Sequence, residues 1–241
     1  GGRALIYFAS TQGDILTKSD DPEARELANH VLSFLTPIIK AFLTETGFES
    51  ANLGLQCLGG HGYVNEWGVE QNVRDARISM LYEGTTGIQA LDLLGRKVLG
   101  TRGKALAPVT GFILDFCKRS RSRKELRPYL KTLVRLTRQW KSLTRKIGFA
   151  AMRNRDAVGA ASVDYIMFSG SVLLGVAWAA SARAAYRRLE EGTNEEAFYR
   201  AKIQTAEFYF AKILPRTTSL LQTMSTGPDP LMKMDESQFM F

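Results

Sequence analysis

The sequence contains few of the residues that build metal sites and disulfide frameworks. Among its 241 residues, only Cys57 and Cys117 are cysteines and only His30 and His61 are histidines. None of the four has a partner at the spacing of metal ligands, so we predict no metal site and no disulfide scaffold. Few, separated thiols favour a reducing compartment, which predicts a cytoplasmic location.

Strand signals are equally scarce. No stretch alternates apolar and polar residues over the length of a strand, and no repeat or low-complexity tract interrupts the chain. Apolar residues instead recur at three- and four-residue steps, as in Leu27, Val31, Phe34, Leu35, Ile38 and Phe42. The predicted fold class is therefore all-α, with a helical bundle followed by a second, four-helix bundle-like extension.

Turn and breaker residues give the predicted helix bounds. A first helix is expected over 4–17, and Asp20-Asp21-Pro22-Glu23 marks the start of a second. We expect Pro37 to kink this second helix and Gly47 to end it, with a separate helix over 51–58 that stops at the following glycines. The helices expected after residue 100 cover 104–117, 124–153, 162–190 and 195–224, the last bent or restarted at Pro215.

The segment Gly100-Thr101-Arg102-Gly103 is the best candidate for a domain boundary. It divides the chain into a first domain over 1–100 and an additional helical domain over 101–226. Gly227-Pro228-Asp229-Pro230 then ends regular structure, which leaves a tail over 227–241.

Two stretches of the extension admit more than one interpretation. No residue from Tyr165 to Ala182 is charged, which just reaches the length of a membrane span, but the many small residues favour a central helix of a bundle. The segment Lys118–Arg155 is strongly basic and holds a single acid, Glu125. It is interpreted as a solvated helix face, with attraction to an anion, an acidic partner or nucleic acid as the alternative.

The remaining stretch, Gln56–Leu99, combines a glycine-rich turn with a carboxylate at a helix start. Gly59, Gly60 and Gly62 surround His61, for which a surface position is expected. Farther along, Glu83 follows an apolar run and precedes a helix that Thr85 or Thr86 could cap, leaving N–H groups free for an anion. Taken separately, each feature is more often an ordinary helix cap or a dipole-compensating charge than a functional site.

Together, the two features resemble a known family in order and spacing. The motifs are Q-C-L-G-G-H-G-Y-x-x-E from Gln56, R-D-A-R-I from Arg74, and L-Y-E-G-T-x-x-I-Q from Leu81. They resemble the C-terminal helical domain of acyl-CoA dehydrogenases, closely over 47–99. The continuation beyond residue 100 resembles the additional C-terminal domain of a larger subgroup that includes 3-methylthiopropanoyl-CoA dehydrogenases.

The resemblance implies an FAD-dependent α,β-dehydrogenation of an acyl-CoA thioester. Glu83 would take the α proton, which requires a poorly hydrated carboxylate held close to the substrate. The backbone N–H of Glu83 would stabilise charge on the thioester oxygen, and Gly84 would contact the substrate. The residues that would contact FAD are Gln56, Cys57, Leu58, Gly59, Gly60, Thr85, Thr86 and Gly87. Gly87 departs from the many family members with Gln there, so its contact would come from the backbone.

The resemblance also sets expectations about partners. The family's N-terminal helical part and middle β domain have no counterpart in this sequence, so we expect a C-terminal piece of a longer enzyme that neither holds FAD nor catalyses alone. The expected partners are an acyl-CoA substrate, an electron-transferring flavoprotein as electron acceptor, and further copies of the chain in a homodimer or larger homo-oligomer. No membrane association is expected. The alternatives are a flavin-containing relative that binds nucleic acid, motivated by the basic stretch, and a helical assembly module.

Overall fold

The computed structural model describes residues 1–240, and every regular element within them is helical. The helices are α1 (Gly2–Lys18), α2 (Pro22–Leu58), α3 (Gly60–Tyr63), α4 (Val69–Ile78), α5 (Thr86–Leu91), α6 (Leu106–Arg119), α7 (Arg127–Arg153), α8 (Asp156–Glu191), α9 (Glu196–Phe208), α10 (Thr217–Thr223) and α11 (Asp229–Met232). A π-helical segment, Asp92–Leu99, continues α5. The predicted all-α fold class is confirmed.

Helix α8 lies at the centre of the molecule and packs against α2, α5, α7, α9 and α10. Both α2 and α8 are long and apolar enough to cross a membrane by length and composition. In the structure, the apolar side chains of α8 pack into the core, and most of its apolar stretch is buried. The small residues of α8 allow the neighbouring helices to approach it closely, as the sequence predicted.

An aromatic cluster joins the two halves of the chain at α8. The Trp140 ring of α7 packs edge-on against Tyr165 and Phe168 of α8, and its centroid lies 6.0 Å from that of Phe34 on α2. All four residues are almost completely buried, and the Tyr165 hydroxyl lies 2.8 Å from the Thr144 hydroxyl. One hydrophobic core therefore runs through both predicted domains. The boundaries at residues 100 and 226 stay predictions.

Helix α2 is one continuous helix of 37 residues, so the predicted break at Gly47 and the separate helix over 51–58 are wrong. A glycine inside a helix costs only about 1 kcal/mol relative to alanine. The α2 residues on both sides of Gly47 pack against α1, α4, α5 and α8, and this packing outweighs the local cost.

A distant lysine compensates for the proline inside α2. Because Pro37 has no N–H, it cannot donate to the carbonyl of Ser33 four residues earlier. The Lys97 ammonium donates a hydrogen bond to that carbonyl and lies 3.2 Å from the Ser33 hydroxyl. Burial lowers the pKa of Lys97, and the Asp92 carboxylate 3.6 Å away opposes that shift. The Ser33 carbonyl, which Pro37 leaves without its helical donor, is therefore hydrogen-bonded by Lys97.

The last predicted helix, over 195–224, is a series of shorter segments rather than one helix. α9 ends at Phe208, a π-helical turn covers Tyr209–Ile213, and a 3-10 turn over Leu214–Arg216 leads into α10. Pro215 lies in that 3-10 turn, where the chain restarts as predicted. The tail is exposed along its described length, and its final residue, Phe241, lies outside the described residues.

We expect Gly170→Ala to destabilise the protein by about 2 kcal/mol, because an added methyl must displace a packed ring. A Cβ at Gly170 would lie 2.1 Å from Cγ of Phe42, where α2 and α8 meet. Gly159→Ala in the same helix is the control, because no atom lies within 4 Å of its added Cβ. The Gly159 change should leave the free energy of unfolding unchanged or raise it by up to about 1 kcal/mol. Urea unfolding of both variants measures the difference, and equal stabilities would contradict this account of the crossing.

We further expect Lys97→Met to lower the free energy of unfolding by about 1–3 kcal/mol in the wild-type background, because it leaves the Ser33 carbonyl without a donor. The cost should be smaller in a Pro37→Ala background, where the restored N–H can bond to Ser33. A double-mutant cycle by urea unfolding isolates this coupling. Effects that add to within about 0.5 kcal/mol would show that Lys97 does not compensate for the proline.

Candidate functional site

The turn before α5 contains a strained backbone at Glu83. Its φ is 56°, and that of Gly84 is 88°, so two successive residues adopt left-handed conformations. Such a φ is uncommon for a residue with a side chain and costs on the order of 1–3 kcal/mol. Strained residues of this kind cluster at functional sites, where the surrounding structure holds them in place.

Three hydrogen bonds hold this turn. The Lys40 ammonium of α2 donates to the carbonyl of Gly84, and the Gln89 side-chain amide donates to the carbonyl of Glu83 over 2.9 Å. Two residues beyond Gly84, the Thr86 hydroxyl donates to the Glu45 carboxylate of α2 over 2.5 Å. The turn is thus fixed to the middle of α2 and to the first turns of α5.

The Glu83 side chain is exposed in this chain, which differs from the expected poorly hydrated position. The apolar run before it does not enclose the carboxylate. Met80 turns inward and is only 7% exposed, whereas Leu81 and Tyr82 are 48% and 51% exposed. An apolar run in the sequence shields a neighbouring side chain from water only when its own side chains cover that residue, and here Glu83 stays exposed. Desolvation of Glu83 would require groups outside this chain.

The start of α5 agrees with the predicted position but not with the predicted cap. Thr85 occupies the N-cap position, yet its side chain makes no capping hydrogen bond, and the Thr86 hydroxyl is used by Glu45. The first backbone N–H that bonds back to Thr85 is that of Gln89. The earlier N–H groups of the first turn therefore remain available, as at any helix start.

The glycine-rich turn ends α2. Gly59 has a φ of 57° and terminates the helix, as predicted, and α3 then folds back toward α2. A Cβ at Gly62 would lie 2.5 Å from the carbonyl oxygen of Leu55, so only glycine fits this approach. His61 is exposed, as expected, and its ring lies edge-on to Trp67 with centroids 5.8 Å apart. The predicted FAD-contacting residues of this segment are all exposed: Gln56, Cys57, Leu58, Gly59 and Gly60.

The two predicted parts of the site lie far apart. Lys40, which holds the Glu83 turn, lies in the middle of α2, and Gly59 directly follows the end of that helix. They are separated by about 28 Å along its axis, at about 1.5 Å per residue. The structure therefore places the residues after Glu83 beside the middle of α2 and the glycine segment at its end.

Sequence reasoning missed Lys40, Glu45 and Gln89. The sequence contains one weak indication of them. Lys40 and Glu45 flank the buried Phe42 on a helix that is interpreted only from its apolar residues. Charged side chains beside core positions are usually paired. Their partners lie 44 and 41 residues away, so local spacing could not identify them.

Comparison with known proteins places both halves of the chain in one family. Residues 20–99 match the family described as acyl-CoA dehydrogenase, C-terminal domain, and residues 109–235 match that described as acetyl-CoA dehydrogenase C-terminal like. The broad-specificity linear acyl-CoA dehydrogenase of Mycobacterium tuberculosis is 30% identical over 99% of this chain and 41% of its own length. The 3-methylmercaptopropionyl-CoA dehydrogenase of Ruegeria pomeroyi is 35% identical over 89% of this chain and 36% of its own length.

A solved structure supports the same fold. Caenorhabditis elegans ACDH-11, determined in complex with C11-CoA, superimposes with a TM-score of 0.65 over 88% of this chain and 33% of its own, at 20% sequence identity. The chain thus spans about two fifths or less of the relatives that it matches. The resemblance inferred from the three motifs is confirmed: the chain belongs to the acyl-CoA dehydrogenase family and carries its C-terminal helical domains.

Proposed function

We propose that this chain supplies the catalytic base, and part of the FAD and thioester sites, of an FAD-dependent acyl-CoA dehydrogenase. Its share of the length of its relatives implies that other segments complete these sites. The base is Glu83, and Gly84 contacts the substrate. The residues proposed to contact FAD are Gln56, Cys57, Leu58, Gly59, Gly60, Thr85, Thr86 and Gly87.

The observation that carries this proposal is the left-handed backbone of Glu83, held by Lys40 and Gln89. An exposed acid that served only to compensate a helix dipole would need no strained φ and no lysine fixing the next carbonyl. A base must instead be held within a fraction of an ångström of the hydrogen that it removes. The strain and its supports fit that requirement.

The backbone of the turn suits the second requirement of the reaction. Removing the α proton places negative charge on the thioester oxygen, which a preorganised donor must stabilise. Within the described part of the chain, the backbone N–H of Glu83 donates to no other group. The carboxylate of Glu83 would thus act on the α carbon's proton, and its N–H on the oxygen of the neighbouring carbonyl group.

The chain's surfaces are compatible with a flavin. FAD, when bound, supplies the acceptor for the β hydrogen, which leaves as hydride. A Cβ added at Gly59, Gly60 or Gly87 would meet no atom within 4 Å, so the backbone at these positions is open to a ligand. The separation of about 28 Å along α2 supports the idea that the glycine segment and the α5 start serve different subunits' flavins, or opposite ends of one.

Exposed apolar side chains near both segments support burial by further protein. Leu58, Tyr63, Trp67, Ile78 and Ile88 are each at least half exposed. Large exposed apolar residues concentrated in one part of a surface mark contacts with a partner or ligand. We propose that other domains and a second copy of the chain cover this region in a cytoplasmic homo-oligomer. An electron-transferring flavoprotein is proposed as the electron acceptor.

We expect Glu83→Gln, made in the full-length protein, to keep bound flavin but to abolish its bleaching by acyl-CoA. The amide has nearly the shape of the carboxylate but cannot accept the α proton. Flavin absorbance before and after addition of a panel of acyl-CoA thioesters measures both properties. Glu66→Gln is the control, because Glu66 is also exposed and belongs to the same segment but not to the proposed site. Bleaching at the wild-type rate in the Glu83 variant would remove Glu83 from its role.

Lys40→Met should lower kcat by about tenfold or more and leave flavin content unchanged, because the Glu83 turn loses the donor that fixes the Gly84 carbonyl. The control is Lys212→Met at an exposed position of the extension. Steady-state kinetics separates kcat from KM, and amide hydrogen exchange across 81–87 reports the loosened turn. Unchanged exchange and unchanged kcat together would show that Lys40 does not position the base.

A further inference from the structure

The strongly basic stretch of the sequence forms one side of a groove between α6 and α7. This groove, here called the basic groove, has a volume of about 1030 Å³. Its cationic lining consists of Lys118 near the end of α6, Arg121 in the turn that follows, and Arg127, Lys131, Arg135 and Arg138 from α7. Two helices thus direct positive charge into one concavity, which the proposed dehydrogenase function does not use.

These six cations have no carboxylate partners within residues 1–240. Neighbouring arginines do: Arg119 pairs with Asp115, and Arg123 pairs with Glu190. Arg135 donates instead to the neutral Gln139 side chain over 3.1 Å. Among the described residues, no acidic side chain lines the groove. A solvated helix face normally mixes both signs of charge, so an acid-free concavity indicates a negatively charged ligand.

The floor of the groove is apolar. Leu114 of α6 and Val134 of α7 are half-buried and line it together with the buried Leu130. The Cys117 thiol also contributes, and burial raises its pKa to about 11, so it stays neutral. A ligand that fills this groove therefore needs an apolar face as well as negative charge.

The dimensions fit a short helix. From Arg127 to Arg138, α7 rises by about 17 Å, or about three turns. Its lining cations follow one another at three- and four-residue steps, the spacing at which acids on one face of an opposing helix would recur. We propose that the basic groove binds an acidic amphipathic helix of a partner protein, with the partner's apolar side chains on the floor and its carboxylates against the rim.

Other polyanions match the groove less well. A bilayer presents a broad, nearly flat surface of phosphates, and Leu114 and Val134 on the floor would not reach it. A nucleic-acid duplex offers charge but no apolar face, and within the described part of the chain no aromatic side chain lines the groove for stacking on bases. The inference does not depend on the proposed dehydrogenase function, since no residue of the groove belongs to that site.

The test measures binding of a fluorescein-labelled acidic peptide to the full-length protein by fluorescence anisotropy. The peptide has about 16 residues, long enough to form a helix against a partner, with Glu on one edge and Leu on the adjacent face. A scrambled peptide of the same composition, vesicles containing phosphatidylglycerol and a short DNA duplex are the comparison ligands. Far-UV circular dichroism checks that each variant is folded.

Lys131→Glu/Arg135→Glu reverses two charges in the groove. Lys141→Glu/Arg145→Glu is the matched control, because it makes the same change at the same spacing, on exposed residues of the same helix outside the groove. We expect the groove variant to weaken peptide binding by at least about tenfold, and the control to weaken it by about threefold or less. Added salt should also weaken the binding of the peptide to the wild-type protein, because it screens the charges.

Four results would overturn the proposal. One is absence of saturable binding of the patterned peptide, and another is equal binding of the scrambled peptide. The third is tighter binding of vesicles or duplex DNA, which would identify lipid or nucleic acid as the class of partner. An equal loss in the groove and control variants would likewise show that general attraction, rather than the groove, holds the peptide.

Discussion

The contact between Phe42 and the bare backbone of Gly170 fixes the position of α2 in this fold. The phenyl ring occupies the space that any larger residue at 170 would fill, and the helices approach closely enough for Phe34 to reach the Trp140 cluster. Dispersion contacts of this kind are individually weak but numerous, and they depend steeply on distance. Because α2 also carries Lys40, Glu45 and the terminal Gly59, its position determines where both parts of the proposed site lie.

Local costs along α2 and α5 are balanced by contacts from elsewhere in the chain. Pro37 leaves the Ser33 carbonyl exposed, and Lys97, 64 residues away, satisfies it. The left-handed backbone of Glu83 persists because Gln89 donates to the carbonyl of Glu83 and Lys40 donates to the carbonyl of Gly84. In both cases, half-buried side-chain donors bind backbone carbonyls that lack a helical partner. The packing free energy of the core offsets the cost of this strained backbone.

The two halves of the chain differ in what they expose. The first half presents large apolar side chains around the glycine turn and the Glu83 turn, together with backbone N–H groups that have no partner among residues 1–240. The extension presents cations in a groove with an apolar floor. Apolar exposure beside a strained acid suits a site completed by further protein and a ligand. Unpaired cations suit reversible recognition of a negatively charged partner.

Local chemistry in the sequence determined the fold class, the start of α2 at Pro22, a helix end at Gly59 and the start of α5 at Thr86, and the resemblance of three motifs identified the family. Each depends on residues within a few positions of one another, or on motifs of fixed spacing. The tertiary structure alone decided that α2 continues through Gly47, that Lys40 and Glu45 hold the Glu83 turn, and that the α6 and α7 cations face one groove. These outcomes rest on contacts between residues tens of positions apart, and their free energy exists only once the core has brought the helices together.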